Sequence, residues 1–145
     1  MASFEFDHMG AVVHDLEAVT QFFVALGFRC EGRAELGGTW VDRIIGLEGT
    51  QVKMAMVSAP DGSGKLELSE FQSPVPADDR TELPANAHGY RHIAFRVPDI
   101  EAVLAKAQAA GYGTMGDVVD YEDIYRLAYI RGPEGLIVEV AQPLR

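Results

Sequence analysis

The chain nearly repeats itself after 84 residues, and this internal repeat constrains its fold more than any other feature. The alignment runs without a gap from residue 8 to residue 27 in the first copy and from residue 92 to residue 111 in the second. Because there are only two copies, the repeat predicts a duplicated module and not a solenoid. The identical pairs are His8/His92, Val13/Val97, Asp15/Asp99, Glu17/Glu101, Ala18/Ala102, Val19/Val103, Ala25/Ala109 and Gly27/Gly111.

Composition narrows the class of protein and its partners. With 145 residues, 48% of them hydrophobic, the chain predicts a single globular domain over 1–145. The net charge of −10, with no cluster of basic residues, disfavours nucleic acid and anionic membranes as partners. No apolar run approaches the ~20 residues of a membrane span, and no signal-peptide pattern is visible. We therefore expect a cytoplasmic protein whose partners are neither nucleic acid nor membrane.

Each copy predicts a strand, a helix and three further strands. The helices begin after Asp15 and Asp99, which are suited to N-capping, and end before Gly27 and Gly111. We expect an α+β fold of two tandem βαβββ modules, and residues 40–49 are an insertion of uncertain conformation. The strands are expected at about 4–13, 28–33, 51–58 and 65–71, and at about 90–97, 115–120, 126–131 and 136–142. The modules span about 4–72 and 90–142, with a proline-containing linker at about 73–89.

The period of two residues along a strand predicts where the repeated histidines point. In the second copy Ile93 and Phe95 face the helix, so His92 faces the opposite side, and His8 holds the matching place in the first copy. In the last strand of each module, Glu67 and Glu139 stand between apolar residues and also face away from the helix. Each module therefore presents one histidine and one glutamate on the same face.

Two imidazoles and two carboxylates suit one divalent first-row metal ion. A flat sheet cannot bring His8, Glu67, His92 and Glu139 together, whereas two curled sheets that face each other can. The alternative is structural: a strand histidine is commonly a hydrogen-bonded structural residue, and a glutamate between apolar neighbours commonly lies on a solvated face. Common ancestry alone could preserve such a face in both copies.

Longer motifs carry a family resemblance that covers nearly the whole chain. The chain resembles the vicinal oxygen chelate superfamily, which includes glyoxalase I, methylmalonyl-CoA epimerase, extradiol dioxygenases, fosfomycin-modifying enzymes and bleomycin-resistance proteins. The motifs are specific for the superfamily and weak for the substrate. They are Asp7-His8-Met9-Gly10-Ala11-Val12-Val13, Lys65-Leu66-Glu67-Leu68, Arg91-His92-Ile93-Ala94-Phe95 and Gly132-Pro133-Glu134-Gly135-Leu136-Ile137-Val138-Glu139-Val140.

The resemblance implies paired modules whose curled mixed sheets form a metal-binding cleft, with the helices outside. It implies His8, Glu67, His92 and Glu139 as ligands of one divalent ion (Ni, Co, Zn, Mn or Fe(II)), a set like that of glyoxalase I. It further implies a homodimer, with the site built within one chain or shared between two.

The implied activity is that of a glyoxalase-type lyase or isomerase that chelates its substrate through adjacent oxygens. Glu139, alone or together with Glu67, would move a proton through an enediolate-type intermediate. By strand alternation, Tyr90, Arg96 and Tyr129 are candidates for the substrate pocket wall.

Three other activities in the superfamily remain open. Methylmalonyl-CoA epimerases usually have Gln where this chain has Glu67, and ring-cleaving dioxygenases use two histidines and one carboxylate. Antibiotic-binding members typically lack the ligand set. Val12 and Phe71 replace an arginine and an asparagine that help to hold glutathione in glyoxalase I. Activity on a glutathione substrate is therefore not expected.

Overall fold

The chain forms two compact units whose boundary falls after residue 79. The computed structural model describes residues 4–76 and 82–145. Unit 1 is the part before the boundary and unit 2 the part after it. Each unit contains a four-stranded mixed sheet, which confirms the predicted α+β fold of two tandem modules. The linker expected at about 73–89 includes residues 77–81, which lie outside the described residues.

Unit 1 has the strand order β1-β4-β3-β2. The β1 and β4 strands are parallel, and the other two pairings are antiparallel. A hairpin turn closed by the bond from the Ala59 amide to the Gly64 carbonyl joins the third and fourth strands. The elements are β1 (Met9–Val12), α1 (Leu16–Ala25), β2 (Arg29–Gly37), α2 (Thr39–Ile45), β3 (Gln51–Ser58) and β4 (Lys65–Ser73).

Unit 2 repeats this topology with the strand order β5-β8-β7-β6. Its first and last strands, β5 and β8, are again parallel. The elements are β5 (His92–Arg96), α3 (Ile100–Ala109), β6 (Val119–Tyr121), β7 (Tyr125–Arg131), a 3-10 turn (Pro133–Gly135) and β8 (Ile137–Pro143). No helix in the described part of the chain is both long and apolar enough to cross a membrane.

Both long helices begin with the same two contacts. The Asp15 and Asp99 side chains accept hydrogen bonds from the amides of Ala18 and Ala102, as predicted for N-caps. The first backbone amide of each helix is bound by a side chain from the sheet. Glu70 on β4 accepts a hydrogen bond from the amide of Leu16, and Gln142 on β8 accepts one from the amide of Ile100. These contacts tie the start of each helix to its sheet. Each helix ends before a glycine at positive φ, Gly27 or Gly111, which confirms the predicted C-caps.

The apolar faces of the two long helices pack on the sheets. The α1 helix contacts β3 and β4, while α3 contacts β7 and β8. Residues that are at most 2% exposed include Val19, Phe22, Phe23, Val57 and Leu68 in unit 1, and Ile100, Ala107, Ile130, Val138 and Val140 in unit 2. The opposite face of each sheet, which carries the glutamates, therefore does not form this core.

Several predicted boundaries were wrong. The first strand starts at Met9 and not near residue 4, and the strand expected at 115–120 is reduced to a bridge at Thr114 and the short β6. The insertion at 40–49 contains the helix α2. The apolar pattern of this short segment is too brief to predict a helix, and Gly38, which precedes α2, has no side chain that could cap it.

Candidate metal centre

In unit 1, His8 and Glu67 lie together. His8 directly precedes β1, and Glu67 lies on the neighbouring parallel strand β4, where it is paired with Gly10. The His8 Nε2 atom is 3.4 Å from the Glu67 Oε2 atom. Flanking Leu66 and Leu68 are buried on the helix side, so the pair occupies the opposite face.

In unit 2, His92 and Glu139 form the matching pair. His92 begins β5, and Glu139 lies on the parallel strand β8, paired with Ala94. The His92 Nε2 atom is 3.3 Å from the Glu139 Oε1 atom. Flanking Val138 and Val140 are buried, as are the leucines beside Glu67. The duplicated sequence thus gives nearly the same pair geometry in both units.

The Nδ1 side of each imidazole differs between the units. His8 Nδ1 is 2.5 Å from a carboxylate oxygen of Asp7, the preceding residue. His92 Nδ1 is 3.5 Å from the hydroxyl of Tyr129, whose ring lies 5.1 Å from the imidazole between ring centroids. One ring therefore has an anionic partner on this side, and the other has a neutral one.

The electrostatics reflect these contacts. The hydrogen bond with His8 is the main cause that lowers the pKa of Asp7, and the electrostatic interaction with the same side chain lowers it further. Burial raises the pKa of Tyr129, and the nearby Glu139 carboxylate adds to that rise. Tyr129 consequently stays a neutral phenol that can both donate and accept a hydrogen bond at neutral pH.

Each pair fits the donor set of a divalent ion. Metal–ligand bonds of about 2.0–2.2 Å place two neighbouring ligand atoms roughly 2.8–3.6 Å apart, for angles between octahedral and tetrahedral. The measured separations of 3.4 and 3.3 Å lie inside that range. Among residues 4–76 and 82–145, no three His, Cys, Asp or Glu side chains group as metal ligands would. Each unit by itself thus supplies a pair of donors.

The three residues suggested for a pocket wall lie in different surroundings. Tyr129 contacts His92 and also lines a hollow of about 370 Å³ in unit 2, together with the apolar side chains of Met115, Val119 and Leu127. Tyr90 is 92% exposed, and Arg96 ends β5 on the surface. Within unit 2, the structure brings only Tyr129 against the His92–Glu139 pair among these three.

Asp7 was not predicted as part of the site. Strand alternation would place Asp7 and His8 on opposite faces, but residues 4–8 precede β1 and are not bound by that rule. The signal that could have indicated this contact is a carboxylate directly beside a candidate histidine ligand. Such carboxylates commonly orient metal-binding imidazoles.

Two tandem modules that each carry a histidine–glutamate pair define the class of protein, and comparison with known families agrees. A family model described as the glyoxalase/bleomycin resistance protein/dioxygenase superfamily matches residues 7–129. The chain belongs to this superfamily. The resemblance inferred from the motifs is confirmed.

Solved structures extend the comparison. A glyoxalase family protein from Bacillus cereus is 37% identical, with a TM-score of 0.93 over 100% of this chain and 97% of that protein. TnmS3, an antibiotic binding protein from Streptomyces sp. CB03234, is 22% identical, with a TM-score of 0.65 over 99% and 98% of the two chains. A mutant of glyoxalase I from Zea mays is 14% identical, with a TM-score of 0.66 over 94% of this chain and 47% of the maize chain. The last two show the fold alone. No curated protein matches significantly.

Proposed function

We propose that this protein is a metal-dependent, glyoxalase-type lyase or isomerase that acts on a small substrate with adjacent oxygens. The observation that carries the proposal lies in unit 1, where the Nε2 atom of His8 faces the carboxylate of Glu67. The Asp7 carboxylate can only accept, so His8 donates its Nδ1–H to it, and Nε2 is the ring nitrogen left to bind a cation through its lone pair. That lone pair lies 3.4 Å from the Glu67 carboxylate, an arrangement that favours a cation between them.

The residues that would hold the ion are His8, Glu67, His92 and Glu139, as the superfamily resemblance implies. When bound, a divalent ion of this kind supplies a Lewis acid that polarises a substrate carbonyl. Glu139 would accept a proton from the carbon beside that carbonyl and return it to the neighbouring carbon. The Glu139 side chain is 21% exposed and that of Glu67 is 28% exposed, so Glu139 is the better shielded base.

The proposed substrate is not the methylglyoxal–glutathione hemithioacetal. Val12 is 61% exposed and apolar where glyoxalase I has an arginine, and Phe71 stands where an asparagine is expected. Neither side chain can bind the charged and amide groups of glutathione. We expect weak turnover of this hemithioacetal compared with acyl-CoA or other oxygen-chelating substrates. Efficient formation of lactoylglutathione by the metal-loaded protein would contradict this part of the proposal.

We also propose that the protein is a cytoplasmic homodimer. The acidic charge of −10 and the single cysteine suit the cytoplasm, and the superfamily resemblance implies the dimer. Light scattering at micromolar concentration tests the dimer directly. A monomeric mass together with full metal occupancy would refute it.

Metal binding by matched histidine variants tests the central proposal. Isothermal titration with Co²⁺ should give one ion per pair of modules. Both His8→Ala and His92→Ala should weaken binding by more than the ~100-fold that the loss of a hydrogen-bond partner of a ligand can cost. His88→Ala is the control, since His88 is an exposed histidine of unit 2. If a proton and not a metal bridges each pair, Co²⁺ will not bind and the proposal fails.

A second candidate is a binding protein without catalysis. The hollow in unit 2 lined by Met115, Leu127 and Tyr129 favours an apolar ligand, and the fold is shared with the antibiotic binding protein TnmS3. The two functions separate in one assay of metal-free and Co²⁺-loaded protein on hemithioacetal, acyl-CoA and catechol substrates. Metal-dependent product formation supports the enzyme, whereas ligand binding that ignores the metal supports the binding protein.

A further inference from the structure

The two histidine–glutamate pairs are alike on the Nε2 side of the imidazole and unlike on the Nδ1 side. Nε2 faces a glutamate at 3.4 Å in unit 1 and at 3.3 Å in unit 2. Nδ1 faces the Asp7 carboxylate at 2.5 Å in unit 1 and the Tyr129 hydroxyl at 3.5 Å in unit 2. The first is a short contact to an anion, and the second is at the limit of a hydrogen bond.

Two exchanges of residue type between the repeats produce this difference. The counterpart of Asp7 is Arg91, whose guanidinium is turned away to donate to the carbonyls of Leu83 and Pro84. The counterpart of Tyr129 is Met56, because Met56 pairs with Glu67 as Tyr129 pairs with Glu139. Each unit thus has one polar partner for the Nδ1 atom of its imidazole. This partner precedes β1 in unit 1 and lies on β7 in unit 2.

The two partners do not constrain the imidazole equally. A carboxylate only accepts, so Asp7 fixes the hydrogen of His8 on Nδ1 and leaves Nε2 free to bind a cation. The Tyr129 hydroxyl also hydrogen-bonds with the Glu139 carboxylate, which only accepts, so Tyr129 is left to accept from Nδ1 of His92. It does so as a neutral group over 3.5 Å and holds the hydrogen on Nδ1 less firmly than the Asp7 carboxylate does. The other tautomer places a hydrogen on Nε2, where it would block a metal.

We propose that Asp7 is a positioning residue that holds His8 in its metal-binding tautomer and orientation, and that Tyr129 does this more weakly for His92. The inference rests on the proposed metal site and adds to it an inequality between its halves. Asp7 lies on the Nδ1 side of the ring, away from Glu67, and its side chain is 88% exposed. It therefore acts through His8 and not as a ligand.

The first test is Co²⁺ affinity measured by isothermal titration on the full-length protein. Asp7→Asn should weaken binding by about 10–100-fold, the usual cost of losing such an outer partner. Tyr129→Phe should cost less than the ~10-fold lower end of that range. Glu5→Gln removes the same charge from the same exposed segment, and Tyr125→Phe removes a hydroxyl from the same strand β7, so these two controls should bind as the wild type does.

The second test reads the tautomer without any metal. Long-range ¹⁵N–¹H spectra, recorded above the ~6.5 pKa typical of imidazole, should show His8 as the Nδ1–H form in the wild type. Asp7→Asn should shift it toward the Nε2–H form, and Asp7→Glu, which keeps the carboxylate, should restore both the tautomer and Co²⁺ affinity. A change of general stability would not produce this pattern.

The outcomes separate the two proposals. A wild-type protein that does not bind Co²⁺ refutes the proposed function. A wild type that binds Co²⁺, with His8→Ala defective but Asp7→Asn equal to Glu5→Gln in affinity and tautomer, refutes the role of Asp7 alone. An equal loss in Asp7→Asn and Tyr129→Phe overturns the inequality between the two halves.

Discussion

Units 1 and 2 share a plan and differ in how they support it. In both, an edge strand pairs in parallel with an inner strand, and both have an aspartate-capped helix and a histidine–glutamate pair. Unit 1 packs an aromatic cluster of Phe22, Phe23 and Phe28 under its sheet and adds the helix α2. In unit 2 the helix positions that match Phe22 and Phe23 are Lys106 and Ala107. The two repeats therefore keep the histidine–glutamate pair, whereas the core beneath it differs.

The two units agree in how the glutamates are placed and differ in what contacts the imidazoles. The glutamates are paired with small residues on the parallel strand, Gly10 in unit 1 and Ala94 in unit 2. The imidazole partners are Asp7 and Tyr129, which come from different elements. The parallel strand pair therefore places the histidine and the glutamate in the same way in both units, whereas a different residue contacts the imidazole in each.

The largest expected effect separates the two glutamates. Glu139→Gln should reduce turnover by about 10²–10⁴-fold, the usual loss when a general base is removed, because an amide can still coordinate but cannot accept the proton. Glu67→Gln should reduce turnover less. Steady-state rates are to be measured on Co²⁺-loaded protein with whichever of the hemithioacetal, acyl-CoA and catechol substrates is turned over. The metal content of each variant is measured alongside. Full activity in Glu139→Gln would remove Glu139 from the reaction.

The next effect contrasts one residue type in the same place of both repeats. Val19 is fully buried, and its counterpart Val103 is only partly so. Val19→Ala should lower the free energy of unfolding by about 2–3 kcal/mol and Val103→Ala by about 1 kcal/mol, since lost burial and the cavity left behind both scale with how enclosed the site is. Urea unfolding monitored by circular dichroism measures both. Equal losses would show that the two cores are equivalent after all.

How far the sequence predicts this molecule depends on whether a feature is local. The N-caps Asp15 and Asp99 and the glycines after both helices were predicted because they require only short-range backbone geometry. The shared face of His92 and Glu139 follows from strand alternation in the same way, whereas His8 holds the matching place directly before β1. For each of these features the local sequence pattern allows a single physical interpretation.

The features that were missed depend on contacts distant in sequence or on chain outside a strand. Tyr129 reaches His92 because the register of two antiparallel strands pairs Tyr129 with Glu139, and no sequence pattern fixes that register. Asp7 contacts His8 because the chain there has not yet entered β1. The Glu70 and Gln142 contacts to the helix starts likewise require the final packing of helix on sheet.

A smaller effect tests those helix starts. Glu70→Ala should lower the free energy of unfolding by about 2 kcal/mol and Gln142→Ala by about 1 kcal/mol, because a hydrogen bond to a charged acceptor is stronger and a carboxylate also interacts favourably with a helix N-terminus. The exchanges Glu70→Gln and Gln142→Glu are the matched controls: each keeps an acceptor and gives one unit the arrangement of the other. If Glu70→Gln costs as much as Glu70→Ala, the charge and not the bond is responsible.

The smallest effect concerns the insertion that unit 2 lacks. Asp42 on α2 accepts hydrogen bonds from the amides of Gly49 and Thr50, and contact with Thr50 is the main cause that lowers the pKa of Asp42. A carboxyl whose pKa is lowered by folding stabilises the protein above its unfolded pKa, and this contribution disappears as the pH falls through the lowered folded value. The difference in unfolding free energy between the wild type and Asp42→Asn should therefore be constant at neutral pH and shrink in acid. Asp117→Asn, an exposed change in unit 2, is the control, and a difference that does not vary with pH would show that the Asp42 charge is not what holds the loop.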